Sequence, residues 1–182
     1  MPSGTATGLG DVITIRGGTT MEMIDTDAEG RVIMADALVL AREDGHDGVV
    51  DIATLTGSAM RALGTDLAAL VGNDRAMIDL VSSAAAATDE LVWELPLHRP
   101  YRSKLDSNVA DIANCAPIGQ PDALLAALLL AEFVGDVPWA HIDMCGQAQN
   151  DVDRTWHPEG CTGYGARLLL ETALAFEPPA GS

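Results

Sequence analysis

Positive charge is scarce in this chain. Ten Lys and Arg face 27 Asp and Glu, and Lys104 is the only lysine, so the formal net charge is −17. A surface that acidic is repelled by phosphate backbones and by anionic lipid, which argues against nucleic-acid and membrane partners. The same excess is compatible with cation binding but equally with simple solubility or a salt-adapted source. Long apolar runs are also missing. The longest, residues 123–131, falls far short of the roughly 20 residues of a membrane span. No basic stretch precedes an apolar one near Met1, so no secretory signal is read. Cysteine is sparse: Cys115, Cys145 and Cys161 are odd in number and form no Cys-x-x-Cys pair. Free thiols in a reducing, cytoplasmic setting are expected ahead of a zinc cluster. Aromatics make up only 4% of the residues, yet 48% are hydrophobic, and 182 residues suffice to bury a sizeable core.

The pattern along the chain alternates strands and helices. Residues 12–16 and 19–24 read as strands around the turn signal Gly17-Gly18. Helices are expected over about 29–43, over 74–87 with Asn73 or Asp74 as cap, over 122–133 after Pro121, and over 163–175. Further strands are expected at 48–54, 67–71, 91–95 and 139–144, and a short one at 109–112 within the irregular stretch 98–118. Residues 145–161 read as a long loop. This is an α/β fold: three layers, with a mixed, mainly parallel sheet flanked by helices. In such sheets sites gather at the carboxyl ends of strands. Asp27, residues 54–57 and residues 143–147 each follow a strand, which fits one shared cleft.

The most informative stretch is Thr26-Asp27-Ala28-Glu29-Gly30-Arg31. On an extended backbone residues i and i+2 share a face, so Asp27 and Glu29 would aim their oxygens at one point. Converging carboxylates hold hard or borderline divalent cations. Arg31 adds a fixed cation suited to a carboxylate, a bicarbonate or a developing oxyanion. The structural alternative is a capping box, in which Thr26 and Glu29 satisfy the first orphan amides of the following helix.

With its surroundings, Asp25-Thr26-Asp27-Ala28-Glu29-Gly30-Arg31 followed by Ala35-Asp36-Ala37-Leu38 closely resembles the signature of the leucyl (cytosol) aminopeptidase family of two-metal peptidases. The resemblance is colinear over about residues 1–176. It includes Met1 to Ala6, Gly10-Asp11-Val12, Ala53 to Gly57, Ala62-Leu63-Gly64, Trp93, Pro96-Leu97, Tyr101, Ala110-Asp111, Asn114, Trp139 to Asp143 and Thr162 to Gly165. It implies an aminopeptidase that removes amino-terminal, leucine-type residues from peptides. Two divalent ions, manganese or zinc with magnesium a third candidate, would share a bridging water and polarise the scissile carbonyl. Asp27 and Glu29 would be metal ligands. Arg31 would be catalytic, holding a bicarbonate general base or stabilising the transition state directly, and Thr54, Leu55 and Gly57 would line the substrate site. Without the resemblance those three read as an ordinary strand exit. It also implies a homo-oligomer, a hexamer built as a dimer of trimers.

Two carboxylates do not complete two metal sites, each of which takes roughly four to six donors. The family draws the others, a lysine and further aspartates among them, from a segment upstream of the Met-Pro-Ser-Gly stretch. Lys104 has no part in that scheme, and Asp25 stands where the family has asparagine. The expectation is therefore a catalytic-domain portion at 1–176, incomplete at its N-terminal side, with a flexible tail at 177–182. It is either an aminopeptidase domain that works joined to its upstream half or an inactive remnant with a structural or assembly role. Nucleic-acid binding, known for some relatives, is disfavoured by the charge. His141-x-Asp143 has ligand spacing but reads better as a hydrogen-bonded pair at a strand end. His46, His98 and His157 read as surface residues. Residues 8–10 lack the strand-then-helix setting of a phosphate loop, and Ser58 lacks a nucleophile elbow.

Overall fold

The computed structural model describes residues 3–153 and 159–178, so the expectations for His157 and for the end of the tail lie outside the described residues. In chain order the elements are β1 (Val12–Thr14), β2 (Thr20–Glu22), α1 (Glu29–Glu43), β3 (Val49–Ala53), α2 (Gly57–Leu63), β4 (Ala68–Gly72), α3 (Arg75–Thr88) and β5 (Val92–Glu94). There follow β6 (Ile112–Ala113), α4 (Asp122–Val134), β7 (Trp139–Asp143), β8 (Gln149–Asn150), β9 (Gly160–Cys161) and α5 (Ala166–Ala175). Two 3₁₀ turns, Thr26–Ala28 and Arg99–Leu105, complete the set. The chain forms two compact units, one of residues 1–46 and 97–135 and the other of residues 47–96 and 136–182.

In the first unit β1 and β2 form the expected antiparallel hairpin, with Val12 opposite Glu22. Its turn sits on Gly17 and Gly18 at φ +88° and +97°, values that a side chain would strain. β6 adds in parallel to β2, with Met21 opposite Ile112. Helix α1 buries Arg31, Ala35, Leu38 and Val39, the i, i+4, i+7, i+8 face of an amphipathic helix, and packs on α4. Helix α4 is apolar nearly all round and buries every residue from Leu125 to Ala131. The 3₁₀ turn Arg99–Leu105 lies against it, with Leu105 buried. The short strand expected at 109–112 falls at 112–113 instead. Ser107 Oγ accepts the Val109 and Ala110 amides, both at 3.0 Å, and bends the chain there.

In the second unit the sheet order is β3-β7-β4-β5. β3–β7 and β4–β5 are parallel and β4–β7 antiparallel, the mixed, mainly parallel sheet expected. One face, including Leu70, Ala140 and Ile142, packs on Met77, Ile78, Val81, Ala84 and Ala85 of α3 and on Leu168 of α5. Alternation puts Asp51, Trp139, His141 and Asp143 on the other face. Glycine at 72 is demanded by packing, since a Cβ there would lie 2.4 Å from the Trp139 carbonyl oxygen. Of the two caps expected for α3, Asp74 is the one used, accepting the Met77 amide at 2.9 Å. Asn73 instead ties β4 to β7, accepting the Trp139 amide at 2.9 Å.

Three elements were not legible. Helix α2, seven residues long, is too short to show a period. Within the long loop after β7, β8 and β9 form a two-residue antiparallel ladder.

Candidate functional site

Asp27 does not lie on extended backbone. It belongs to the 3₁₀ turn, and Glu29 is the first residue of α1. The strand alternation invoked for bringing their oxygens together therefore does not operate here; a tight turn running into a helix start carries both. The capping box does not form either. Ala28 holds the cap position of α1 with no side-chain cap bond, and the turn is capped one step earlier, where Asp25 accepts the Asp27 amide at 2.9 Å. Asp27 and Glu29 are exposed, and among the described residues their carboxylates accept no hydrogen bond. Local structure thus makes no use of their side chains, whereas that of Asp25 is committed as a cap.

The turn is held by a residue far away in sequence. Asn114 is fully buried. Its Oδ1 accepts the amides of Ile24 at 3.0 Å and Asp25 at 3.2 Å. Its Nδ2 donates to the carbonyls of Asp25 and Ala28. Its own amide continues the β2–β6 pairing by donating to the Glu22 carbonyl at 2.9 Å, and its carbonyl accepts Arg31 Nη1 at 3.2 Å.

Arg31 is 3% exposed. Its Nη2 donates to Asp122 Oδ1 at 2.7 Å, at the first residue of α4. Its Nε is buried without a partner among the described residues, a donor that costs free energy until something accepts from it. Cys115 beside it is buried, which pushes its thiol up to about 11, so it is no ready nucleophile.

In the second unit Thr54 is exposed and Leu55 and Gly57 are half-buried, where β3 passes into α2. Buried Asp143, the last residue of β7, organises this segment. Its Oδ1 accepts the amides of Leu55 at 3.1 Å, Thr56 at 3.3 Å and Cys145 at 3.4 Å. Its Oδ2 accepts the Thr56 hydroxyl at 2.7 Å, and that hydroxyl oxygen in turn accepts the Ala59 amide and caps α2. His141 and Asp143 are not bonded to each other. His141 Nδ1 pairs with Asp51, which also accepts the Trp139 indole N–H. Burial works against the His141 cation, and the Asp51 carboxylate outweighs it, leaving the imidazole above its usual range. His46 and His98 are exposed, as expected.

The family model described as "Cytosol aminopeptidase family, catalytic domain" matches residues 1–170. The chain belongs to the cytosol aminopeptidase family. Among its curated relatives, a "Probable cytosol aminopeptidase" of Synechococcus sp. (strain WH7803) is 45% identical over 93% of this chain and 34% of its own length. Another, from Rhodopirellula baltica, is 46% identical over 93% of the chain and 34% of its own. Among solved structures, "Bottromycin maturation enzyme BotP in complex with Mn" superposes with a TM-score of 0.90 at 43% identity, covering 96% of this chain and 40% of that one. The chain spans about a third of the length of the curated cytosol aminopeptidases it matches.

For a divalent cation, Asp27 in the 3₁₀ turn and Glu29 at the start of α1 offer two hard carboxylates, unengaged among the described residues, which fits part of a site. Among the described residues no three His, Cys, Asp or Glu side chains gather into a metal-holding group. Asn114 carries no chemistry of its own, and in the sequence it stands out only as a family-like position. Asp122 and Asp143 were not foreseen in their roles, because their partners lie 91 and 87 residues away.

Proposed function

We propose that this chain is part of a metal-dependent aminopeptidase acting on peptides with a free, leucine-type amino terminus. The observation that carries the reading is the pair of exposed carboxylates, Asp27 and Glu29, free of any capping bond on a turn that buried side chains hold. Family membership and the manganese complex of the structural relative support it. Asp27 and Glu29 supply oxygen donors to two divalent ions, with manganese first and zinc or magnesium as alternatives. Bound there, those ions supply Lewis acidity toward the scissile carbonyl and the attacking water. Arg31 would present its Nε, which has no partner among the described residues, to an anion, a bicarbonate serving as general base or the developing oxyanion. Thr54, Leu55 and Gly57 line the substrate, on a segment whose amides Asp143 fixes. A cytoplasmic homo-oligomer, hexameric as a dimer of trimers, goes with this reading, and nucleic acid and membrane are not partners.

A second reading has one observation in its favour. With no group of three candidate ligands among the described residues, this polypeptide by itself would be a folded, non-catalytic member of the family. One chimera separates the two. Residues 1–182 replace the matching third of the Synechococcus relative, and hydrolysis of a leucine chromogenic amide is followed with manganese or zinc added, beside metal content by mass spectrometry. Metal-dependent hydrolysis is expected. A folded, metal-loaded chimera without turnover would favour the non-catalytic reading.

A further inference from the structure

We infer that Asn114 is a positioning residue whose buried amide sets the turn carrying Asp27 and Glu29, so that cation binding by those carboxylates depends on a side chain that never touches the cation. This rests on the proposed metal-facing role of Asp27 and Glu29.

The two carboxylates sit on a segment with little local support. The 3₁₀ turn is three residues long, and α1 begins without a side-chain cap. Among the described residues the only local side-chain bond is the one that Asp25 accepts from the Asp27 amide, on the exposed side. An exposed turn of this kind interconverts among conformers unless its backbone polar groups are engaged from elsewhere. Asn114 engages them from below. A primary amide offers two acceptor lone pairs and two donor hydrogens. Here Oδ1 takes the amides of Ile24 and Asp25, and Nδ2 gives to the carbonyls of Asp25 and Ala28. These groups bracket Asp27, entering the turn on one side and leaving it on the other. Leucine matches asparagine in size but satisfies none of the four groups, and aspartate lacks the donors. The Asn114 carbonyl also accepts from Arg31, so one residue fixes the spacing of the carboxylates and of the guanidinium. Asn114 is itself fixed by the β2–β6 pairing, through its amide to Glu22. It therefore transmits the rigidity of a sheet to a turn, which holding ligands at metal-binding geometry demands.

The test uses the whole 182-residue chain and Mn²⁺ alone. In ¹H–¹⁵N spectra, trace Mn²⁺ broadens amides next to a binding carboxylate even when binding is weak. In the unaltered chain the amides of Asp27 to Gly30 should broaden. In Asn114→Ala the Mn²⁺ needed for equal broadening should rise at least tenfold, and the Ile24 and Asp25 amides should lose their protection from hydrogen exchange. Val81→Ala, in the core of the other unit, controls for lost stability and should leave the broadening unchanged. If Asn114→Ala does not fold, Asn114→Ser keeps a small polar group that cannot reach all four partners and carries the same expectation. Broadening in a folded Asn114 variant equal to that of the unaltered chain overturns the positioning role and leaves the metal reading standing. Absence of broadening at residues 27–30 in the unaltered chain overturns the metal reading itself, and the inference with it.

Discussion

Arg31 donates to Asp122 across 91 positions of sequence, at 2.7 Å, with the guanidinium buried and the carboxylate about one-third exposed. The pair joins the first turn of α1 to the first residue of α4, so it belongs to the packing of the first unit as much as to any chemistry. Removing one partner of a fully buried pair costs roughly 3–5 kcal/mol. Solvent screening at Asp122 lowers the expected loss for Asp122→Ala to about 2 kcal/mol in urea unfolding. The double variant Arg31→Met, Asp122→Leu should recover most of it, because no stranded charge remains. A double variant as unstable as the single one would mean that the pair is not what Asp122 contributes.

Asp143 concentrates a comparable load in the second unit. Asp143→Ala strands three amides and the Thr56 hydroxyl, and at about 1–3 kcal/mol for a stranded buried group the loss should reach about 3 kcal/mol. Thr56→Ala removes the α2 cap and should cost about 1 kcal/mol. Equal losses from the two variants would place the weight on the cap and not on the carboxylate.

The pair of buried His141 and half-buried Asp51 makes stability depend on pH. The imidazole is raised in the folded protein above its unfolded value of about 6.5. Its contribution is therefore complete below about pH 6.5 and is lost as pH rises through the higher folded value. Thermal melts should show the protein losing stability over that rise, and His141→Phe should flatten the dependence. A melting temperature that climbs over the same interval, or a slope unchanged in His141→Phe, would assign the titration elsewhere.

The polypeptide 1–182 by itself should hydrolyse a leucine chromogenic amide slowly or not at all, even with excess manganese or zinc. Its described residues offer no group of three ligands, and losing one element of electrostatic stabilisation costs on the order of 10²–10³ in rate. Robust, contaminant-free turnover would show that other residues of the chain complete the site.

Much of this fold could be read from the residues in order, because its long elements carry their own signals. The apolar α4, the Asp74 cap of α3, the Gly17-Gly18 hairpin and the β-branched strand β3 depend on neighbours in sequence. What could not be read depends on distance. The turn at Asp27 reads as extended because the strand before it alternates, and nothing local announces the 3₁₀ geometry that Asn114 imposes through a bond to Asp25 across 89 positions. Helix α2 is hidden for a related reason, since its cap, Thr56, is secured by Asp143. The candidate ligands were legible as a motif, and the residues that hold them were not.

The most direct test of the metal-facing assignment compares three neighbouring carboxylates. Asp25→Ala should cost about 0.5–2 kcal/mol as a lost cap. Asp27→Ala and Glu29→Ala should unfold within about 0.5 kcal/mol of the unaltered chain, as exposed positions without partners do, while abolishing Mn²⁺ broadening of the turn and the metal-dependent hydrolysis of the chimera. Cap-sized stability losses at Asp27 and Glu29, with manganese response and hydrolysis intact, would contradict the assignment.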